Sequence, residues 1–372
     1  MFTAANSLIG FIFALILTFL VIPIVNKFSL ILNLIDKPEK RKQHKKVIVR
    51  LGGLGILIGL YCTMTLLLAF NFINFDENSF FWPVFYIAPL FFVLGFLDDL
   101  FNISPFVRLF FQILLSTVVW ACGFHINNIE IQSFFGVNSS IYLINSLSLL
   151  FTVFWIVGMI NAINWMDGLD GLAIGIVCIS TLGMIFAAIG HQNTEYLPIL
   201  SSLFGSCLAF LFYNYHPAKI VMGDGGSYLL GFFAASLSIL MFEPGLNTSF
   251  KSYLDFYFLE SMLFFAVPIF DVIKVVFLRL KQGKSIFFPD RKHIHHRLFD
   301  GGFSHRDSVT LIYALSQWFV SVSLLVSFNK FNKYTLVIAL SSTALLSFIL
   351  IIKCNLSKLL ILKLSPKINR LD

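Results

Sequence analysis

Charge is what this chain has least of. Asp, Glu, Lys and Arg together make up 12% of its 372 residues, about half the share of a typical soluble domain. The apolar fraction is 58% and the mean hydropathy +0.87, more apolar side chain than a water-soluble fold can cover, so the solvent for most of the chain is expected to be lipid. The five cysteines, Cys62, Cys122, Cys178, Cys207 and Cys354, lie mostly in apolar runs and lack CxxC spacing, which excludes a disulfide framework or a thiolate metal cage. No HExxH motif is present. The first apolar run, Leu8 to Val25, has no basic residue before it and no small-residue cleavage site after it. It is expected to be a retained transmembrane helix and not a signal peptide.

What is present is a series of apolar runs of spanning length. About 20 mostly apolar residues cross a bilayer as a helix. The sequence predicts an all-α polytopic membrane protein of eleven spans, near 6–26, 52–72, 81–97, 106–124, 141–160, 171–190, 196–213, 226–242, 257–279, 309–328 and 334–353. The basic residues orient them. With the N-terminus outside, the inner loops receive Lys37, Lys40, Arg41, Lys42, Lys45, Lys46, Arg50, Arg108, Lys219 and the Arg/Lys group of 279–308, and the C-terminal tail ends inside. The outer loops hold only Lys251, Lys330 and Lys333. The chain is expected to form one transmembrane domain over 1–355, with inner loops at 33–51, 98–107, 161–170, 214–225 and 280–308 and a basic cytoplasmic tail at 356–372.

That orientation uses no acidic residue, yet it puts Asp98, Asp99, Asp167, Asp170 and Asp224 all on the inner side. Asp98-Asp99 closes a span at a helix C-terminus, where the dipole disfavours anions and the two carboxylates repel one another. Either a proton is retained there or a cation compensates. In Asn161-Ala-Ile-Asn-Trp-Met-Asp-Gly-Leu-Asp-Gly-Leu172, the groups Asn161, Asn164, Asp167 and Asp170 recur every three residues and would form a polar stripe on a helix. Such a stripe at a membrane surface is costly to desolvate without a ligand. Gly223-Asp-Gly-Gly-Ser227 opens a span with flexible residues, so its backbone N–H groups are expected to cradle phosphate. Asp224 there offers a hard oxygen suited to Mg2+. His293-Ile-His-His-Arg297 brings three histidines and flanking cations to the longest inner loop, where they would grip a diphosphate, bind zinc, or only add positive charge. In the first inner loop, Arg41, Lys42, His44 and Arg50 fit either inner-side charge bias or attraction to a lipid phosphate. Asp271, with Lys274 three residues on, is open between an ion pair and a place in the cleft.

These blocks resemble the polyprenyl-phosphate N-acetylhexosamine-1-phosphate transferases, in particular the undecaprenyl-phosphate GlcNAc-1-phosphate branch of the glycosyltransferase family 4 type. Leu97-Asp-Asp99, Asn161 to Leu172, Gly223 to Ser227 and His293 to Leu298 match in order, and the resemblance runs from Asp36-Lys-Pro38 to about Val309. Phospho-MurNAc-pentapeptide transferase is similar more distantly. The resemblance implies a multi-pass enzyme of the bacterial plasma membrane with a cytoplasmic cleft. It would move HexNAc-1-phosphate from a UDP-sugar to undecaprenyl phosphate and release UMP, beginning a cell-envelope polysaccharide. By the same resemblance Asp224 and Asn164 bind Mg2+ (or Mn2+), and Asp167 and Asp170 lie around the nucleotide. Asn161 and the block His293, His295, His296 and Arg297 bind substrate. Asp98-Asp99 faces the lipid phosphate, with Asp98 as the base. A homodimer is implied and no nucleic-acid partner is expected. The chain departs from the pattern at Val221, where relatives often carry an aromatic ring, and at Val47-Ile-Val-Arg50, where they tend to have prolines.

A single in-line displacement by the lipid phosphate is the expected chemistry, with a phospho-aspartate double displacement as its rival. A phosphate monoester, with a second pKa near ~6, is mostly dianionic at neutral pH and needs little help from a base. A secondary transporter would place its polar groups near mid-membrane between repeats, and no repeat of the motifs is visible. A CDP-alcohol phosphotransferase needs Asp-Gly-x-x-Ala-Arg, which Asp170-Gly-Leu-Ala lacks.

Overall fold

The computed structural model describes residues 2–31, 35–36, 48–77, 79–126, 141–191, 193–241, 260–287 and 292–327. Apart from a two-residue antiparallel ladder, β1 (Ile35–Asp36) with β2 (Ile48–Val49), the regular structure among these residues is helical. The helices are α1 (Phe2–Ile31), α2 (Gly52–Ala69), α3 (Phe81–Phe101), α4 (Pro105–Ala121), α5 (Ile141–Met166), α6 (Leu172–Gly190), α7 (Leu197–Asn214), α8 (Gly223–Leu240), α9 (Ala266–Lys281), α10 (Ile294–Asp300) and α11 (His305–Ser327). Seven of them, α1, α2, α3, α5, α6, α7 and α11, are long and apolar enough to cross a membrane. The protein is a polytopic membrane protein. Helix α4, expected as a span, is a shorter apolar helix. The expected span 334–353, most of the segment 126–136 and the tail 356–372 lie outside the described residues.

Helix α8 is the axis of the bundle, with nearly every residue from Gly223 to Leu240 buried. Its small residues let neighbours approach closely, as helix packing in lipid requires. Helix α5 runs antiparallel along it. Asn164 meets Asp224 and Ser227 at one end, and the Trp155 indole N–H meets Ser238 Oγ at 3.1 Å further along. On another side Phe91 of α3 stacks on Phe232 with centroids 4.6 Å apart. Large side chains on the outer surfaces of α1, α4 and α9, such as Leu20, Ile24, Phe110, Phe270 and Phe277, are exposed. In water that would be an aggregation surface; in lipid it is solvated.

Local chemistry sets the α3–α4 corner. Asn102 takes a left-handed conformation and its N–H closes back on the Asp98 carbonyl at 2.8 Å, ending α3. Ser104 then caps α4 and Pro105 occupies its first turn. This tight reversal places Arg108, at the start of α4, beside the end of α3.

Candidate active site

Three helix ends and two loops converge on the start of α8. Asp99, at the end of α3, accepts the backbone N–H of Asp224 at 2.7 Å and of Gly225 at 3.4 Å, so the carboxylate of one helix caps another across the bundle. An anion on the α8 N-terminus also meets the positive end of the helix dipole. Arg50, just before α2, reaches Asp99 Oδ1 at 3.5 Å. Gly223 has φ +76, and a Cβ there would lie 2.7 Å from Asp99 Oδ2; only glycine suits both the turn and the approach. This corrects the expectation of an open phosphate cradle at Gly223 to Ser227. Two of the backbone donors it relied on are taken by the protein's own carboxylate.

Asp98 turns to the other side of the cluster. It is 4% exposed, and its Oδ2 accepts from Arg108 Nη1 at 2.6 Å and from the Tyr228 hydroxyl at 3.3 Å. The adjacent Asp98 and Asp99 therefore do not face one another unaided. Each has its own cation, Arg108 for one and Arg50 for the other, which answers the repulsion the sequence posed.

Asn164 donates to Asp224 Oδ1 at 2.8 Å and to Ser227 Oγ at 3.0 Å. Helix α5 then stops at Met166, so the regular stripe Asn161, Asn164, Asp167, Asp170 is broken. Only the two asparagines lie on the helix, because Gly168 and Gly171 (φ +79) turn the chain. Asn161 donates to Gln112 Oε1 at 2.7 Å and joins α5 to α4. Asp167 is half-buried, and its side chain makes no hydrogen bond or ion pair among the described residues. Burial, then the carboxylates of Asp224 and Asp99, hold its carboxyl well above the ordinary carboxylate range, with Arg50 pulling the other way.

Asp170 belongs to a second group. Its Oδ2 accepts from His216 Nδ1 at 2.7 Å and from the Ala218 N–H at 3.1 Å. His216 stacks on His305 at 4.0 Å with 20° between the rings. One ligand atom from each of Asp170, His216 and His305 falls within 4.8 Å of the others. Stacked imidazoles point their lone pairs side by side instead of at a common centre, so the trio is a clamp joining the loop after α5, the loop after α7 and the start of α11. Asn214 tightens the same corner, accepting from the Gly171 N–H and donating to the Ile220 carbonyl.

The histidine block packs directly on the Asp167 turn. A Cβ at Gly168 would lie 2.6 Å from His295 Nε2. His295 is 2% exposed, with its Nδ1 buried and lacking a hydrogen-bond partner among the described residues. Burial, then the neighbouring His296 and His293, lower its pKa from 6.5 to about 3, so the block does not present three imidazolium cations. Below pH 6.5 an unfolded chain takes up a proton that the folded chain refuses until about 3. Folded-state stability is therefore expected to fall as pH drops through this window, by at most ~1.4 kcal/mol per unit from this group. Thermal unfolding of detergent-purified protein and of His295→Gln between roughly pH 7 and 5 checks the sign, since the variant's midpoint should fall less steeply.

His293 bonds through Nδ1 to Asp271 Oδ2 at 2.7 Å; Asp271 is thus paired with His293 and not with Lys274. Arg279 lies 4.9 Å above the Trp165 ring, which His293 meets edge-on at 5.4 Å. His296 stands 4.3 Å from His295, ring to ring. Arg297 is exposed and its side chain has no ion-pair or hydrogen-bond partner among the described residues. Arg41, Lys42 and His44 lie outside the described residues. Arg108 and Tyr228 were not anticipated as site residues. A lone arginine opening an apolar helix, four residues after a serine cap, was the available signal for the first; the tyrosine looked like any other core aromatic.

The glycosyl transferase family 4 pattern matches residues 81–242, which hold the Asp98-Asp99, 161–172 and 223–227 blocks. A probable undecaprenyl-phosphate N-acetylglucosaminyl 1-phosphate transferase of Bacillus subtilis is 34% identical over 82% of this chain and 81% of its own length. A decaprenyl-phosphate N-acetylglucosaminephosphotransferase of Mycobacterium leprae is 31% identical over 81% of this chain and 78% of its own. An undecaprenyl-phosphate alpha-N-acetylglucosaminyl 1-phosphate transferase of Thermotoga maritima is 30% identical over 76% and 78%. With identity at this level across most of both chains, and a cluster of carboxylates built by the matched segment, the protein belongs to glycosyl transferase family 4.

Proposed function

We propose that this protein transfers N-acetylglucosamine-1-phosphate from UDP-N-acetylglucosamine to undecaprenyl phosphate, releasing UMP, at the cytoplasmic face of a bacterial plasma membrane. The observation that carries the reading is the convergence of four separate sequence blocks on one carboxylate and histidine cluster at one set of helix ends, in a chain whose relatives bear the names given above. The proposed topology is eleven spans with the N-terminus outside, supported by the basic residues on the inner loops.

The donor set around Asp224 fits a Mg2+ ion. Its side-chain donors are oxygens, hard ligands of the kind Mg2+ selects. The carboxylates of Asp99, Asp167 and Asp224 lie close together, and burial, then the charges of Asp224 and Asp99, raises the Asp167 carboxyl well above the ordinary carboxylate range. Asp224 and Asn164 would hold the ion, which when bound neutralises charge on the donor diphosphate and eases departure of UMP. The chain's own residues do the rest. Asp99 fixes the start of α8, and with it the position of Asp224. Arg297 and the histidine block bind the anionic donor. Arg108 is ion-paired with Asp98, an arrangement that suits Asp98 to holding Arg108 toward the acceptor phosphate more than to taking a proton from it. The acceptor is already largely dianionic at neutral pH, and its oxygen attacks the sugar-linked phosphorus in a single displacement. Detergent-purified protein given Mg2+, undecaprenyl phosphate and a panel of UDP-sugars should release UMP and form lipid-linked product with UDP-N-acetylglucosamine. No UMP with any of them would overturn the proposal.

A further inference from the structure

We propose that Asp271 is a positioning residue for His293, holding the histidine so that Nε2 is the nitrogen offered to the donor; this deepens the reading of the histidine block as donor-facing and rests on it. Asp271 sits on α9 between the exposed Phe270 and Ile273, yet is itself 5% exposed. Both of its oxygens are engaged on one short segment. Oδ1 accepts the Ile294 N–H at 2.8 Å, and Oδ2 accepts from His293 Nδ1 at 2.7 Å.

The first of these bonds is a helix cap delivered from outside. His293 is the N-cap residue of α10 and its own side chain makes no capping bond; the orphan N–H of the first turn goes to Asp271 instead. A cap alone would need one oxygen. The second oxygen decides the chemistry of the ring. An ionised carboxylate accepts and cannot donate, so Nδ1 must carry a proton, and Nε2 is left as either a neutral acceptor or the second N–H of an imidazolium. An anionic ligand selects the imidazolium, which then lies between two negative groups. Trp165 edge-on at 5.4 Å and His295 nearly parallel at 5.8 Å confine the ring on its other sides. A buried carboxylate that orients a histidine and sets its tautomer is a recurring device where the far nitrogen must meet a ligand.

Asp271→Asn separates capping from positioning. The amide oxygen still accepts from Ile294, while the amide N–H₂ now donates to Nδ1 and strips the ring of both its proton there and its counter-charge. The thermal midpoint of the full-length protein in detergent is expected to stay near wild type. With UDP-N-acetylglucosamine as varied substrate, kcat/KM should fall tenfold to a hundredfold, the worth of a charge-assisted hydrogen bond. His293→Ala should lose at least as much, and the double variant no more than His293→Ala alone. Losses that multiply in the double variant, or an Asp271→Asn enzyme within twofold of wild type beside a crippled His293→Ala, overturn the positioning role and leave the proposed function standing. A fully active His293→Ala overturns both the positioning role and the donor-facing assignment of the block. Should Asp271→Asn not accumulate, Asp271→Ser, a capping side chain without the charge, is measured with the same outcomes.

Discussion

Asp224→Asn is expected to insert and fold as the wild type does and to lose turnover by two or more orders of magnitude. The substitution keeps the shape of the side chain and its neighbours, Asn164 at 2.8 Å and the capped start of α8. It removes one negative charge from a group that already contains Asp98, Asp99 and Asp167, so nothing in the fold is left unsatisfied. What it removes is the carboxylate proposed to hold Mg2+ beside the donor diphosphate, and losses of ~10²–10³ are usual when one such electrostatic element is deleted. A second readout is independent of turnover. A ligand that binds only the folded state raises stability with its concentration, so Mg2+ should raise the unfolding midpoint of the wild type and leave that of Asp224→Asn unmoved. Near-normal activity in the purified variant would take Asp224 out of the metal role.

Arg108→Met is expected to have the largest effect on stability. The guanidinium is the sole cation within ion-pair distance of Asp98 among the described residues, at 2.6 Å, and Asp98 is 4% exposed. Deleting one partner of a buried pair strands the other charge, at a typical cost of ~3–5 kcal/mol. Arg108 itself is 27% exposed, so water can reach the gap and the lower end, about 3 kcal/mol, is expected. The double variant Arg108→Met/Asp98→Asn removes both charges and should recover most of the lost thermal midpoint. Its activity should not recover, because Arg108 is assigned to the acceptor phosphate. A double variant that regains turnover would show the pair to be structural only. An Arg108→Met protein as stable as wild type would show that Asp98 has another counter-charge.

Much of this protein was legible in its sequence. Apolar runs of spanning length state the solvent, and the bias of Lys and Arg among the loops proposes the sides. The blocks Leu97-Asp-Asp99, Asn161 to Leu172, Gly223 to Ser227 and His293 to Leu298 name most of the residues that meet in the cluster. These are properties of composition and local spacing, which the chain carries whether folded or not. Even the corner that brings Arg108 to Asp98 is local, made by Asn102, Ser104 and Pro105.

Most partner choices were not legible, because they depend on contacts between elements far apart in the chain. Two adjacent carboxylates are alike in sequence, yet Asp98 goes to Arg108 and Tyr228 while Asp99 goes to Arg50 and the α8 N-terminus. The even spacing of Asn161, Asn164, Asp167 and Asp170 suggested one stripe. The helix ends at Met166, and the four side chains reach Gln112, Asp224, the open cluster and His216 in turn. A GDGGS turn looked like an empty anion cradle until the fold filled it with Asp99. Asp271 could equally have paired with Lys274, one turn away on its own helix. The fold brings the start of α10 to Asp271 and gave it His293 instead, a partner that its own helix could not name. The sequence by itself thus determined the lipid solvent and most of the residues that meet in the cluster; the tertiary structure decided which of them hold one another.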